Sequence, residues 1–115
     1  MKPYSKVAVA FASSLIRGDF DAAHALLAPE LRATFSPEAL SERLHQMYSG
    51  YADGEPTGIN FDEEFTMENF AGKRPGDIGW AYVSIHGEDW TEAVAVAVGE
   101  IGDQLLVTGI EWGRP

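Results

Sequence analysis

The spacing of apolar residues changes once along the chain, from a helical repeat in the first half to an alternating repeat in the second. Over residues 4–16, apolar side chains recur every three or four positions, which is typical of a helix with one buried face. Arg17 and Gly18 close this stretch with a cation and a residue that tolerates left-handed geometry. The pattern therefore predicts a first helix over residues 4–16.

Two further helices are predicted before residue 50. Asp19 can cap a short second helix, which Pro29 is expected to end. Ser36-Pro37-Glu38 is a sharp helix start, because serine caps, proline suits the first turn and the acid complements the helix dipole. The third helix is expected to run to about Ser49, where Gly50 stops it.

From residue 59 onward the repeat has a period of two, which indicates strands. Residues 59–61 open the first strand, and strands over 80–86, 90–98 and 105–112 are separated by glycine-containing turns. Phe65 and Met67 are assigned to the first strand or the next. The acidic triplet 62–64, which lies between Phe61 and Phe65, is expected to be a solvated edge. The predicted fold is α+β, with three N-terminal helices on a curved antiparallel sheet of four to five strands, in one domain over residues 1–115.

The predicted core draws on both halves of the chain. It consists of Val7, Phe11, Leu15, Phe20, Leu27, Leu40, Leu44, Val83, Ile85, Val96 and Val107.

The strand over residues 90–98 has no polar face. Valines 94, 96 and 98 lie on one side, and alanines 93, 95 and 97 lie on the other. A strand that is apolar on both sides is expected to be covered on both sides, and one set of helices covers only one. The second cover is predicted to be another copy of the chain, which gives a homodimer through the outer face of the sheet. The alternative is that the alanines make this face flat and only weakly apolar, which leaves a monomer.

The net charge narrows the choice of partners. The chain has 8 basic and 18 acidic residues and a formal charge of −10, which argues against nucleic acids and anionic membranes. Solubility, a basic protein partner or a cationic ligand would each account for it.

The chain has no cysteine, which excludes disulfides and fits the cytoplasm. A signal peptide is superficially suggested by Lys2 and Lys6 next to the apolar run 7–12, but that run is short and continues the helical stripe. No segment is long enough to span a membrane.

Few residues suggest catalysis. His86 is the best candidate base, since it shares a strand face with Trp80 and Tyr82, and Asp62 is the second candidate. A histidine at the end of a hairpin is more typical of a partly exposed site than of a catalyst. No complete set of acid, base and oxyanion donors is expected. The histidines are isolated and the consecutive acids would point to opposite faces, so neither a metal nor another cofactor is predicted.

Aromatic and sulfur-containing side chains are the remaining signal, because such residues line pockets and anchor interfaces. The candidates for a pocket or an interface are Met47, Tyr48, Phe61, Trp80, Tyr82 and Trp112.

Three segments carry a resemblance to a known family: residues 11–23, which include Gly18-Asp19-Phe20, residues 31–40, which include Ser36-Pro37-Glu38, and the closing strand 105–110. In these segments and their order the chain resembles the nuclear-transport-factor-2-like superfamily, also called cystatin-like, and small bacterial domains of unknown function within it. The resemblance implies a cone-shaped pocket between the helices and the sheet. In relatives this pocket serves isomerases, dehydratases and polyketide cyclases, whereas in others it is closed and the domain dimerises or binds proteins.

Three functions follow as hypotheses. The first is a non-catalytic binding or protein-interaction module that forms a homodimer. The second is an isomerase-, dehydratase- or cyclase-type enzyme, or a protein that binds a small apolar ligand in the pocket. The third is an acidic inhibitor or immunity-like protein that neutralises a basic partner. A deep pocket with a buried carboxylate or histidine would favour the second, and acidic residues clustered on one face would favour the third.

Overall fold

The computed structural model describes residues 1–51 and 54–113, and it confirms the predicted α+β class. Helices precede a five-stranded antiparallel sheet that does not close. No helix in these residues has the length and apolar character needed to cross a membrane. The elements are α1 (Pro3–Ile16), α2 (Phe20–Ala25), α3 (Pro29–Thr34), α4 (Pro37–Tyr48), β1 (Gly58–Asn60), β2 (Thr66–Met67), β3 (Asp77–His86), β4 (Thr91–Ile101) and β5 (Gln104–Trp112).

The helix α3 was not predicted, so the described residues contain four helices rather than three. Pro29 was expected only to end the second helix, but it also occupies the first turn of α3. Proline suits that position because its missing N–H would have no partner inside the helix. The carbonyl of Ala28 accepts from the amide of Arg32 at 3.0 Å, and the Arg32 side chain donates back to the Leu27 carbonyl at 2.8 Å. One proline thus separates two short helices.

The predicted helix caps are confirmed. Asp19 accepts a hydrogen bond from the amide of Ala22 at 3.2 Å, and Ser36 accepts one from Ala39 at 3.1 Å. These bonds satisfy amide groups that have no partner within the first helical turn. The starts of α2 and α4 are therefore fixed by local sequence.

Two residues of the acidic triplet 62–64 lie in a 3-10 turn, Glu63–Phe65, and Asp62 caps that turn; none of the three lies in a strand. Asp62 and Glu64 are exposed, but Glu63 is half-buried and reaches the start of α1. Its carboxylate accepts from the Lys2 amide at 3.0 Å and from the Ser5 hydroxyl at 3.1 Å. The expectation of a solvated edge is wrong for Glu63, which instead caps a helix whose own N-cap residue, Lys2, provides no side-chain hydrogen bond.

The sheet has the strand order β1-β3-β4-β5, and β2 pairs with β3 beside β1. The two short strands therefore share one edge of β3, on either side of the 3-10 turn. At the opposite edge, Val107 of β5 exchanges two backbone hydrogen bonds with the chain at Leu26 and Ala28, both at 2.8 Å. Each edge of the sheet is thus interrupted or partly covered, which discourages strand addition.

The core lies between the helices and the inner face of the sheet. Val83, Ile85 and Val96 on that face are at most 1 % exposed and pack into one cluster with Phe11 and Leu15 of α1. The predicted core is confirmed except for Val7 and Phe20, which are half-buried. Since large buried side chains fill this space, the region in which the family resemblance implies a pocket is packed as a core.

Candidate functional site

The outer face of the sheet, turned away from the helices, changes in height from one side to the other. Strand pairing places Met67, Trp80, Ala97 and Gly109 in one row across β2, β3, β4 and β5. The side chains in this row therefore fall from large on β2 and β3 to a methyl group on β4 and a hydrogen atom on β5.

The tall side of this face is an apolar ridge formed by Phe65, Met67, Trp80 and Tyr82. Phe65 is 55 % exposed and Met67 is 43 % exposed, which makes them two of the few large apolar side chains on the described surface. The ring of Tyr82 lies 5.9 Å from that of Phe65 and 6.4 Å from that of Trp80. The ridge is thus a continuous apolar surface of three aromatic rings and one methionine, and Phe65 and Met67 are its most exposed members.

The low side is a small-residue trough formed by Ala95, Ala97 and Gly109. With Arg74 and Glu111 among the neighbours, these residues line a surface cavity of about 270 Å³. Ala95 is only 3 % exposed, since the register places it between the taller side chains of Tyr82 and Glu111. On this outer face the alanines of β4 contribute little exposed apolar surface, whereas the exposed large apolar side chains belong to the ridge.

A polar clamp fixes one end of the trough. The buried carboxylate of Asp77 accepts from the hydroxyl of Thr108 at 2.7 Å and from the amide of Arg74 at 3.0 Å. The Arg74 guanidinium donates to the Thr108 carbonyl, and its side chain is still 51 % exposed. Asp77 has its hydrogen-bonding partners within the fold, as a structural carboxylate does, while Arg74 presents a cation at the rim.

The two catalytic candidates, His86 and Asp62, lie outside the surface cavities. His86 sits at the end of β3 on the outer face, where its ring packs against Gly58. Asp62 is exposed, and its carboxylate accepts from the amide of Glu64 at 2.9 Å. Neither residue lines the trough or any of three further surface cavities among the described residues. Asp62 therefore caps the 3-10 turn, and the His86 ring packs against β1.

The six pocket or interface candidates do not converge. Trp80 and Tyr82 lie on the outer face, whereas Met47 and Phe61 are half-buried and pack against the core. Trp112 faces inward, with its ring 6.5 Å from that of Phe11. The buried indole N–H of Trp112 has no hydrogen-bond partner among the described residues.

Tyr48, the sixth candidate, lines a different feature, which we call the helix-side cleft. This cleft has a volume of about 510 Å³ and lies between the end of α1, α2, α4 and residues 55–56. The Tyr48 ring stacks on Trp90 with centroids 5.3 Å apart and an interplanar angle of 10°. Burial raises the pKa of Tyr48 above its ordinary value, and the carboxylate of Glu55 raises it further. The phenol is therefore held in its neutral form.

This raised pKa predicts an alkaline loss of stability. Because the folded chain binds the phenolic proton more tightly, the contribution of Tyr48 to stability is complete below the ordinary tyrosine pKa of about 10 and falls as the pH rises through its folded pKa. A Tyr48→Phe variant should lose less stability than the parent chain over that alkaline range. Chemical denaturation across the range measures the difference, and a carbon NMR titration should show a lower Tyr48 pKa in Glu55→Gln. An unchanged Tyr48 pKa in Glu55→Gln would contradict the role of the carboxylate.

Sequence reasoning missed most of these surfaces. Phe65 and Met67 were assigned only to a strand, although two apolar residues alternating with polar ones in an acidic segment are a usable signal of exposure. The cleft residues of α4, among them Ser41, His45 and Tyr48, recur at helical spacing beside the buried stripe. That spacing would have placed them on one face of the helix.

The described residues contain no group of three or more histidine, aspartate or glutamate side chains that could hold a metal ion. No protein-family model, curated protein or solved structure gives a significant match to the chain. The resemblance to the nuclear-transport-factor-2-like superfamily therefore stays a prediction.

Proposed function

We propose that this chain is a non-catalytic protein-interaction module that forms a twofold homodimer through the outer face of its sheet. The observation that carries the proposal is the apolar ridge beside the small-residue trough on one face. Exposed contiguous apolar surface of this kind marks interaction sites in soluble proteins. The residues that form it are aromatic and methionine side chains, which are the types enriched at interfaces.

The shape of the face suits a second copy of the same chain. A twofold interface brings identical surfaces together, so each feature must meet its complement on the partner. A ridge and a trough side by side meet this condition, because the ridge of one copy can fill the trough of the other. Gly109 and Ala97 leave the depth that Trp80 or Met67 of a partner would fill.

The area of the face is in the range that a dimer needs. Three strands of about ten residues, about 4.8 Å apart, with the short β1 and β2 along one edge, present roughly 500–600 Å² before side-chain relief is added. Stable interfaces bury about 800 Å² on each partner. Side chains as tall as Phe65 and Trp80 add to the flat area, so the face approaches the required size.

Edges and charges favour contact between faces. The edges of the sheet are interrupted by the 3-10 turn or partly covered by residues 26–28, which disfavours edge-to-edge pairing. The chain charge of −10 opposes association, but the charged groups near the trough, Arg74 and Glu111, lie at its margin. Salt screens repulsion between exposed charges, so the dimer should strengthen as ionic strength rises.

Light scattering of the purified chain at micromolar concentration is expected to give about twice the chain mass of 12.5 kDa. Phe65→Glu should shift the mass to that of one chain, because it places a charge at the most exposed point of the ridge without disturbing the core. A parent chain that runs at 12.5 kDa in moderate salt would exclude the dimer.

Ile101→Glu is the matched control for Phe65→Glu. Ile101 is also an exposed large apolar residue, but it lies at the β4–β5 turn, outside the ridge. This variant should retain the dimer mass, and circular dichroism should confirm that both variants are folded. Equal loss of the dimer in the two variants would show that added charge, rather than the ridge, controls association.

A further inference from the structure

The helix-side cleft combines an apolar floor with charges of both signs. Its floor is formed by Leu15, Ile16, Phe20 and Leu44, which are buried or half-buried. Arg17, Glu42, His45 and Glu55, all exposed, also line the cleft. The volume of about 510 Å³ falls within the range of about 300–1,000 Å³ that is usual for small-molecule sites.

The charges around this cleft do not neutralise one another. Among the described residues, ion pairs within 4.0 Å involve Lys2 and Arg74 but not Arg17, Glu42 or Glu55. The side chain of Arg17 makes one long hydrogen bond, 3.5 Å to the Ser14 hydroxyl. A guanidinium and two carboxylates thus surround one apolar floor, and none of them has an ionic partner within the described fold.

We infer that this cleft binds a small zwitterion with an apolar side chain, of the chemical class of the apolar α-amino acids. Arg17 would hold the carboxylate through the paired N–H groups of its guanidinium. The ammonium group would be held by Glu55 or Glu42, and the apolar side chain would cover the floor. Tyr48 lines the same cleft as Glu55, and its phenol can add a hydrogen bond.

This inference is independent of the proposed dimer, since the cleft lies on the helix side of the sheet and the ridge lies on the outer face. The two can therefore fail separately. Loss of the dimer in Phe65→Glu should leave ligand binding unchanged.

The test is a titration of the full chain with L-phenylalanine, followed by amide NMR shifts and by tryptophan fluorescence. Fluorescence is informative because Trp90 stacks on Tyr48 at the cleft wall. Saturable shifts centred on residues 15–20 and 41–48 are expected. Phenethylamine lacks the carboxylate and 3-phenylpropanoate lacks the amine, and each should bind about tenfold more weakly, as expected for loss of a charged hydrogen bond.

Charge variants show which residues bind the carboxylate and which bind the ammonium group of the ligand. Arg17→Gln should weaken the binding of L-phenylalanine and of 3-phenylpropanoate about tenfold and leave the binding of phenethylamine unchanged. The double variant Glu42→Gln/Glu55→Gln should weaken the binding of L-phenylalanine and of phenethylamine and leave that of 3-phenylpropanoate unchanged. Lys6→Gln and Glu88→Gln are controls that remove a positive and a negative charge at exposed positions outside the cleft. Absence of shifts at about 10 mM L-phenylalanine, where a Kd near 1 mM would still be detected, would overturn the inference. Equal weakening of all three compounds in both charge variants would also overturn it.

Discussion

Truncating Phe11 to alanine is expected to lower the free energy of unfolding by about 3–5 kcal/mol, as for other fully buried phenylalanines. Phe11 has no exposed surface and lies at the centre of the cluster that joins α1 to the sheet. Its ring is 6.5 Å from that of Trp112, so the substitution also removes an aromatic contact between α1 and β5. Equilibrium denaturation with urea measures the change.

Val9→Ala is the control within the same helix. Val9 is half-buried and does not belong to the core cluster, so its truncation should cost about 0.5 kcal/mol or less. Both variants must be compared at one protein concentration, because the proposed dimerisation would make the apparent stability concentration-dependent. A loss below about 1 kcal/mol for Phe11→Ala would place the buried face of α1 elsewhere.

The helices and strands could be predicted largely from local chemistry. The capping side chains of Asp19 and Ser36 act on amides three residues away, and the alternation in β3 and β4 reflects a period fixed by the strand backbone. The unpredicted parts depend on contacts distant in sequence. Glu63 binds Ser5 at the start of α1, and the two residues are 58 positions apart in sequence. A local sequence pattern cannot reveal a contact between residues so far apart.

The candidate surfaces were harder to predict for the same reason. The height of the outer face is set by cross-strand rows such as Trp80, Ala97 and Gly109, which exist only once the register is known. A bulge between Ala97 and Val98 shifts the register of the pairing between β4 and β5. A bulge changes which residues share a face, so the trough could not be located from the alternation of each strand alone.

Replacing Gly79 by alanine is the second substitution with a large expected effect, about 1–3 kcal/mol of lost stability and near the upper end of that range. Gly79 lies on the inner face of β3, and a Cβ added there would fall well under 3.0 Å from ring carbons of Tyr4. Tyr4 is 5 % exposed in the first turn of α1. Since the clash involves the body of the ring, either the buried Tyr4 side chain or α1 must shift to accommodate a methyl group.

A double-mutant cycle isolates this contact. A Tyr4→Ala background removes the three ring carbons nearest to the methyl group of Gly79→Ala, so most of its cost should disappear, giving a coupling of about 1–2 kcal/mol. Gly50→Ala is the matched glycine control, because a Cβ there has no neighbour within 4 Å and its backbone is not left-handed. This control should be neutral or slightly stabilising, since alanine restricts the unfolded chain. Equal costs for Gly79→Ala and Gly50→Ala on urea denaturation would show that the ring of Tyr4 does not rest on the backbone of β3.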